Sequence, residues 1–157
     1  MRYANKYGYK LQKSEGNAGY DICTPRNIDL PTGREMAVKT GLRIETPEGY
    51  WGLITPRSSC GREGMRLLNT AGVIDPSFRG DGDEIELYIT NTSPNTFQRN
   101  AGDAIAQIIF LPVASFETEM VDDLKENDDR GGSGSTGPRG SAAEAEVSEA
   151  EVQGESE

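Results

Sequence analysis

The residues next to Asp75 in the sequence restrict the position of its carboxylate. It lies within NTAGVIDPSFRGD (69–81), directly after an apolar Val73-Ile74 pair and directly before Pro76. Because the proline restricts the backbone around it, the carboxylate loses freedom and could hold a water as a general base. The same residues also fit a β-hairpin in which the aspartate starts an Asx turn before the proline.

The same segment carries groups suited to a nucleoside. Asn69 has both an amide donor and a carbonyl acceptor, so it can recognise the edge of an imide-like base. The Asp81-Gly82 pair favours a tight hairpin turn, which would fold Phe78 back toward Asp75. The ring of Phe78 could then pack on a sugar.

TPRSSCGREG (55–64) carries groups suited to phosphate. Arg57, Ser58 and Ser59 lie where the chain leaves a predicted strand, and a guanidinium fork with hydroxyls and backbone N–H groups can cradle an anion. The alternative is a solvated turn in which a serine caps a short helix over 61–68.

RGGSGSTG (130–137) has the composition of a flexible linker. Its leading Arg130 and its closing Ser135, Thr136 and Gly137 could instead wrap an anion with hydroxyls and backbone N–H groups. Asp21 and Gln107 interrupt apolar segments, and a buried polar side chain needs a partner. One interpretation is that both bond backbone groups within a β core; the other is that they serve a site.

The composition excludes several kinds of site. The 157 residues include no histidine, which leaves proton transfer to a carboxylate, a lysine or a metal-bound water. A net charge of −10 argues against binding to a nucleic-acid backbone, and two cysteines make neither a disulfide framework nor a zinc site. Without a signal-like start or an apolar run of about 20 residues, we expect a cytoplasmic protein with no membrane span.

Apolar residues alternate through much of the chain. The alternation predicts one half-buried strand over 34–46, a second after the turn at 47–49, and a third over 84–90 with Ile85, Leu87 and Ile89 inward. The apolar run 104–113 predicts a strand covered on both faces, and a helical turn is expected only near 65–68. The pattern indicates an all-β domain of the sandwich or jelly-roll type.

The periodicity ends after residue 113, with one edge strand expected at 115–120. Residues 138–157 contain six glutamates and one arginine, carry half of the net charge, and have too little apolar surface to fold. We therefore predict a β domain over 1–121, a flexible glycine-rich arm over 122–137 and a disordered acidic tail over 138–157.

Five of these stretches, in this order, resemble the five motifs of the deoxyuridine triphosphatase (dUTPase) family. They are AGYDI (18–22), PRSS (56–59), NTAGVIDPSFRGD (69–81), GDAIAQIIF (102–110) and RGGSGSTG (130–137), so the resemblance covers about residues 1–137. It implies a distorted jelly-roll or β-clip barrel with a C-terminal arm, in a homotrimer whose subunits share active sites. The implied reaction is hydrolysis of dUTP to dUMP and pyrophosphate with Mg²⁺, which keeps uracil out of DNA and supplies dUMP for thymidylate synthesis.

The resemblance also implies roles for single residues. Asp75 matches the carboxylate that activates the attacking water, Phe78 the ring on the deoxyribose, and Asn69 a side chain on uracil. The backbone of Gly72, Val73 and Ile74 would imitate a Watson–Crick partner. Arg57, Ser58, Ser59 and Gln107 match phosphate contacts, and Arg130, Ser135, Thr136 and Gly137 match the arm over the γ-phosphate. Substrate phosphates and water would hold most of the Mg²⁺ coordination, with Asp21 as an indirect contact.

The sequence departs from the family pattern in two places. The fifth motif lacks the usual aromatic residue near 133–134, and the segment after Gly80 is a residue or two longer. A dCTP deaminase on the same fold is one alternative, because Arg62 follows Arg57 by five residues and Glu86 lies near the position of a catalytic glutamate. The other alternative is a nucleotide-sensing or protein-binding module on this fold.

Overall fold

The computed structural model of the protein describes residues 1–124. Within them it has eleven strands and one short helix, which confirms the predicted all-β class. No helix in this part of the chain is long and apolar enough to cross a membrane. The strands are β1 (Arg2–Asn5), β2 (Tyr20–Cys23), β3 (Ile28–Leu30), β4 (Glu35–Lys39), β5 (Leu42–Glu45), β6 (Tyr50–Pro56), β7 (Met65–Leu67), β8 (Gly72–Ile74), β9 (Glu86–Asn91), β10 (Phe97–Arg99) and β11 (Ala104–Pro112); the helix, α1, is Ser58–Arg62.

The described strands form four antiparallel sheets around one apolar core. The largest has the order β2-β11-β6-β8, and a three-stranded sheet has the order β4-β9-β7. The pairs β1-β5 and β10-β3 complete the arrangement. Every sheet contributes side chains to the core, among them Ile22, Val38, Leu42, Ile54, Ile89 and Phe97.

The predicted strand over 34–46 is divided between two sheets. Val38 on β4 and Leu42 and Ile44 on β5 are buried, as the alternation predicts. Gly41, with a φ of 72°, turns the chain between them, so that β4 pairs with β9 and β5 with β1. The prediction of one strand was wrong because the alternation of buried residues continues through a glycine turn that changes sheets.

The other predicted strands are present as β6, β9 and β11. Ile85, Leu87 and Ile89 are buried, which confirms the predicted inward face of the third segment. β11 has β2 on one edge and β6 on the other. In this single chain, however, Ile109 and Leu111 on its outer face remain half-exposed, so only one face of the strand is covered.

The helix begins and ends earlier than predicted. α1 covers Ser58–Arg62, and residues 65–67 form β7 instead of a helical turn. Met65 and Leu67 are buried on either side of the exposed Arg66, which is the period of a strand. Three residues are too few for that period to be distinguished from a helical one in the sequence.

The C-terminal part of the described chain has no strand at 115–120, so the predicted edge strand was wrong. Phe116 is 84% exposed and Met120 98%, and neither buries the apolar surface that would hold a strand in place. Met1–Phe116 forms one compact unit. Residues 117–124, which belong to a second unit, are exposed. The predicted limits of the arm and of the tail stay predictions.

Candidate active site

Residues 69–78 and the start of β9 enclose a cavity of about 330 Å³, called here the base cavity. Its lining includes every residue predicted to contact the base or the sugar or to activate water: Asn69, Gly72, Val73, Ile74, Asp75 and Phe78. The buried Ile54, Leu67 and Leu87 close its inner side. β8 is the edge of its sheet and pairs only with β6. Its second edge therefore leaves backbone N–H and C=O groups available to a ligand.

A strained turn leads from Asn69 into β8. Thr70 has a φ of 64° and is the single non-glycine residue with positive φ within residues 1–124. Its N–H donates to the carbonyl of Leu67 over 3.0 Å, and the N–H of Ala71 donates to the carbonyl of Asn69 over 2.6 Å. Such a conformation costs a β-branched residue about 1–3 kcal/mol, which the surrounding contacts must offset. Strain of this kind concentrates at ligand sites.

A second turn brings Phe78 back to Asp75. The N–H of Phe78 donates to the carbonyl of Asp75 over 3.0 Å, with Pro76 and Ser77 at the tip. The ring of Phe78 packs against the core, whereas Asp75 is exposed. The predicted turn at residues 81–82 is present, since the N–H of Asp83 donates to the carbonyl of Gly80 over 3.1 Å, but it does not close a hairpin, because β8 pairs with β6 and not with β9. The expected return of Phe78 is present, but the Pro76-Ser77 turn produces it.

β9 contributes residues to the base cavity that the sequence interpretation did not assign to dUTP binding. Glu86 and Tyr88 both line it, and the hydroxyl of Tyr88 donates to Oε2 of Glu86 over 2.9 Å. This hydrogen bond raises the pKa of the Tyr88 phenol above its ordinary value. The signal in the sequence was the alternation of 84–90, which places these residues on the face opposite Ile85, Leu87 and Ile89.

Arg57 and Asp21 form an ion pair at the start of α1. Nη1 of Arg57 donates to Oδ2 of Asp21 over 2.8 Å, and the two side chains are 42% and 35% exposed. The interpretation that Asp21 bonds backbone groups in a buried core was therefore wrong. Arg57 is the N-cap residue of α1, and Ser58 and Ser59 are the first two residues of the helix. The three predicted phosphate contacts of the second motif thus lie together.

Gln107 lies next to this pair in the four-stranded sheet. In the antiparallel register it is opposite Asp21 on β2 and Thr55 on β6. It is half-buried at the margin of the β core. Its side chain packs closely on Gly19, where a Cβ atom would lie 2.3 Å from Oε1 of Gln107. The first, second and fourth motifs therefore meet at one end of this sheet.

Arg57 and Ser59 line a second cavity of about 720 Å³, called here the phosphate cavity. The sequence interpretation assigned no role to the rest of its polar lining, because all of these residues except Asp103 lie outside the five motifs. Those residues are Asn27, Asp29, Gln98, Arg99, Asn100 and Asp103.

The two cavities lie at opposite ends of β6. Ile74 is opposite Gly52 in the register, which places Asp75 at the level of Trp51. Arg57 follows the other end of the strand, six residues further along, and six residues of strand span about 20 Å. Within one chain, the structure therefore brings together the predicted base and sugar residues, and separately the predicted phosphate residues, but not the two groups with each other.

The predicted arm residues Arg130, Ser135, Thr136 and Gly137 lie outside the described part of the chain. Within residues 1–124, no three histidine, cysteine, aspartate or glutamate side chains come together to hold a metal ion. Cys60 is buried and Cys23 is half-buried, and both are free thiols. Burial raises the pKa of the Cys23 thiol, and the negative charge of Asp21 raises it further.

Known proteins resemble this chain in sequence and in fold. The family model described as dUTPase matches residues 8–137. The deoxyuridine 5'-triphosphate nucleotidohydrolase of Cutibacterium acnes is 38% identical over 125 residues, which cover 78% of this chain and 80% of that protein. The enzyme of the same name from Thermobifida fusca is 38% identical over 132 residues, covering 82% of this chain and 72% of that protein.

Two solved structures show the same fold. The native EIAV dUTPase superposes with a TM-score of 0.65 at 26% identity, over 77% of this chain and 95% of that one. A mutant dUTPase from phage phi11 of S. aureus, which coordinates a structural Mg(II) ion, superposes with a TM-score of 0.66 at 21% identity, over 79% and 97% of the two chains. These likenesses confirm the predicted jelly-roll fold. The family model and the curated relatives do not support the alternative of a dCTP deaminase. The family match and the identity to curated relatives show that the chain belongs to the dUTPase family.

Proposed function

We propose that this protein hydrolyses dUTP to dUMP and pyrophosphate. The observation that carries the proposal is the base cavity, in which Asp75, Asn69, Phe78 and the free edge of β8 line one space. Uracil presents an acceptor, a donor and an acceptor along its imide edge. The alternating N–H and C=O groups of a strand edge can match that pattern, and the Asn69 amide can add a donor and an acceptor.

Phe78 would select the sugar. Its ring is half-buried against the core, and the hydrogen bond from its N–H to Asp75 limits its movement. A deoxyribose packed on this ring buries only carbon atoms there. The 2′-hydroxyl of a ribose would be pressed against the ring without a hydrogen-bond partner, which is costly.

Asp75 would act as the general base. Its carboxylate is exposed at the cavity, and the turn to Phe78 fixes its backbone. It would take a proton from a water as that water attacks the α-phosphorus, and pyrophosphate would leave on the opposite side. A positioned base of this kind contributes about 10²- to 10⁴-fold to a rate.

Arg57, Ser58, Ser59 and Gln107 would hold the phosphates, together with Arg130, Ser135, Thr136 and Gly137 of the arm. The ion pair with Asp21 supports this role, because it orients the Arg57 guanidinium while 42% of that side chain stays exposed. Asp21 offers Mg²⁺ a single half-exposed carboxylate. One carboxylate suits a Mg²⁺ ion whose other ligands are mainly phosphate oxygens and water, as is common for this ion. When bound, Mg²⁺ would neutralise charge on those oxygens.

A homotrimer would complete the site, because the base cavity of one subunit needs the phosphate residues of another. The separation of about 20 Å along β6 supports this proposal, since it exceeds the length of a triphosphate. The outer face of the four-stranded sheet supports it as well. Five apolar side chains form adjacent rows there and are not fully buried in the single chain: Trp51, Leu53, Val73, Ile109 and Leu111. Apolar faces of this kind are commonly covered by another subunit.

Asp75→Asn tests the catalytic role. The substitution keeps the shape of the side chain and removes the base, so we expect pyrophosphate release to fall about 10²-fold or more. Binding of dUpNHpp, measured by calorimetry, should stay within about twofold, because the exposed carboxylate contributes little to binding. Full turnover in this variant would refute the assignment.

Sedimentation of the wild-type protein tests the trimer. A mass of one or two subunits would refute it.

Mixing two inactive variants tests the shared site. Asp75→Asn damages the base cavity and Arg57→Met damages the phosphate cavity, so each variant alone should be inactive. If the two cavities belong to different subunits, equal amounts of the variants folded together should regain about a quarter of wild-type activity, because random trimers place intact partners at that fraction of sites. A mixture no more active than the variants alone would contradict sharing. Wild-type protein that binds dUpNHpp without releasing pyrophosphate from dUTP would favour the nucleotide-sensing alternative.

A further inference from the structure

α1 carries two of the proposed phosphate ligands but is too short to be stable alone. It has five residues, and an isolated helix of that length does not form in water. Contacts with the rest of the domain must hold it. At its start, the N–H of Arg57 donates to the carbonyl of Ile105 over 3.1 Å, and the Arg57 side chain bonds Asp21. In its middle, Cys60 is completely buried.

The end of α1 is held by Arg99, the last residue of β10. Glu63 is the C-cap residue of the helix, and Arg99 bonds both of its carboxylate oxygens, over 2.8 Å from Nη1 and 2.6 Å from Nη2. Nη2 also lies 3.6 Å from Sγ of Cys60, and Nη1 donates to the carbonyl of Gln98 over 2.6 Å. The Arg99 guanidinium therefore contacts Cys60 of α1, the C-cap residue Glu63 of that helix, and the backbone of β10.

Arg99 is itself firmly placed. Its guanidinium lies 4.5 Å from the centre of the Phe97 ring, which belongs to the core, and only 16% of its side chain is exposed. The bidentate ion pair with Arg99 keeps the pKa of the Glu63 carboxyl below its ordinary range, so the pair stays charged near neutral pH. A planar fork of donors holds a carboxylate in one orientation, which a lysine could not do.

Arg57 and Arg99 both line the phosphate cavity, but their surroundings differ. Arg57 has one described side-chain bond and is 42% exposed, which suits a ligand for phosphate. Arg99 is mostly buried, and its terminal nitrogens are engaged by Glu63, Cys60 and Gln98. Arg99 is therefore suited to hold the cavity wall and not to bind the substrate.

We propose that Arg99 and Glu63 are positioning residues, which fasten the end of α1 to β10 and so set the orientation of Ser58 and Ser59 toward the phosphates. The inference rests on the proposed function of the phosphate cavity. It predicts that breaking the pair loosens α1 and weakens binding of a triphosphate, while the base cavity at the other end of β6 is unaffected.

The experiment compares Glu63→Gln and Arg99→Met with a matched control, Arg2→Met. Arg2 of β1 forms a similar bidentate ion pair with Glu45 of β5. It lines neither the base cavity nor the phosphate cavity. Amide hydrogen exchange at residues 58–63 reports on the helix itself. Affinities for dUpNHpp with Mg²⁺ and for deoxyuridine separate the two cavities, because deoxyuridine has the base and sugar but no phosphate.

We expect exchange at 58–63 to be about tenfold faster in both pair variants and unchanged in the control, since local opening follows the loss of such contacts. Affinity for dUpNHpp should fall about tenfold, which is the usual loss for a displaced hydrogen bond to a charged group, and affinity for deoxyuridine should stay within about twofold. The double variant Glu63→Arg with Arg99→Glu, which swaps the two charges, should recover part of the protection at 58–63 and part of the affinity for dUpNHpp.

Unchanged exchange at 58–63 in folded Glu63→Gln would overturn the proposal, and so would equal losses of dUpNHpp and deoxyuridine affinity, which would indicate a general destabilisation. Glu63 is half-exposed, so its glutamine variant should fold even if Arg99→Met does not. If wild-type protein fails to hydrolyse dUTP, the proposed function fails, but the exchange measurement still decides whether the pair fastens α1.

Discussion

Substitution of Gly19 by alanine should impair activity with little effect on stability. An added Cβ would lie 2.3 Å from Oε1, 3.0 Å from Cδ and 3.2 Å from Cβ of Gln107. The backbone of Gly19 is not in the left-handed region, so alanine meets no backbone strain there. The closest atom is the end of a flexible side chain. We therefore expect the Gln107 amide to move away from its present position while the strand stays in place.

The two effects differ in size. Forcing Gln107 into a poorer rotamer costs about 0.5–1.5 kcal/mol, and alanine recovers about 0.4–1 kcal/mol by restricting the unfolded chain. The free energy of unfolding should therefore change by less than about 1 kcal/mol. If Gln107 contacts the phosphates, losing a hydrogen bond to a charged group costs about 1.5–3 kcal/mol. At 1.36 kcal/mol per factor of ten, kcat/KM should fall by about 10- to 150-fold.

The assay measures pyrophosphate release and urea unfolding for Gly19→Ala, Gln107→Ala and the double variant. Because both single changes remove the Gln107 amide from its present position, the double variant should be no less active than Gln107→Ala. Gly82→Ala is the matched control, since a Cβ there meets nothing within 4 Å. Wild-type kcat/KM in Gly19→Ala, with the protein folded, would refute the assignment of Gln107 to the phosphates.

Two further predictions concern stability and a thiol. Gly64→Ala should lower the free energy of unfolding by about 3 kcal/mol or more, because φ is 94° and the new Cβ would lie 2.7 Å from the backbone nitrogen of Ser93. Gly33→Ala is the control: its φ is 70° but the space around it is open, so it should lose only the free energy that comes from backbone strain. Equal losses for the two variants in urea unfolding would contradict this explanation. Because the pKa of Cys23 is raised, its reactive thiolate forms only at higher pH, so iodoacetamide at pH 8 should modify Cys23 more slowly in the native protein than in the unfolded chain. The difference should narrow as the pH rises, and equal rates at pH 8 would exclude the raised pKa.

Much of the fold could be predicted from alternation. The inward positions of β4, β5 and β9 follow from period two, because one face of each strand is buried and successive side chains point to opposite faces. The break at Gly41 escaped this reasoning, because the buried residues keep the same parity on both sides of it. β7 escaped it because three residues do not define a period.

The base cavity could largely be predicted because its residues are close in sequence. Asn69, Asp75 and Phe78 belong to one short segment, and a single β-turn and a strained threonine turn are enough to bring them together. The place of Glu86 and Tyr88 in the base cavity depends on where β9 lies relative to that segment. That is a long-range arrangement, which local composition does not encode.

The sequence by itself determined which chemical groups are present: one rigid carboxylate, an aromatic residue three positions later, serines after an arginine, and no histidine. These follow from residue type and short spacing, and they identified the family. Only the tertiary structure decided which groups meet. Strand register placed Asp21 beside Gln107 and within reach of Arg57, and it placed Arg57 and Asp75 at opposite ends of β6. The reason is physical: pairing between distant strands is set by the packing of the whole core, whereas the sequence pattern reports only which face of each strand is buried.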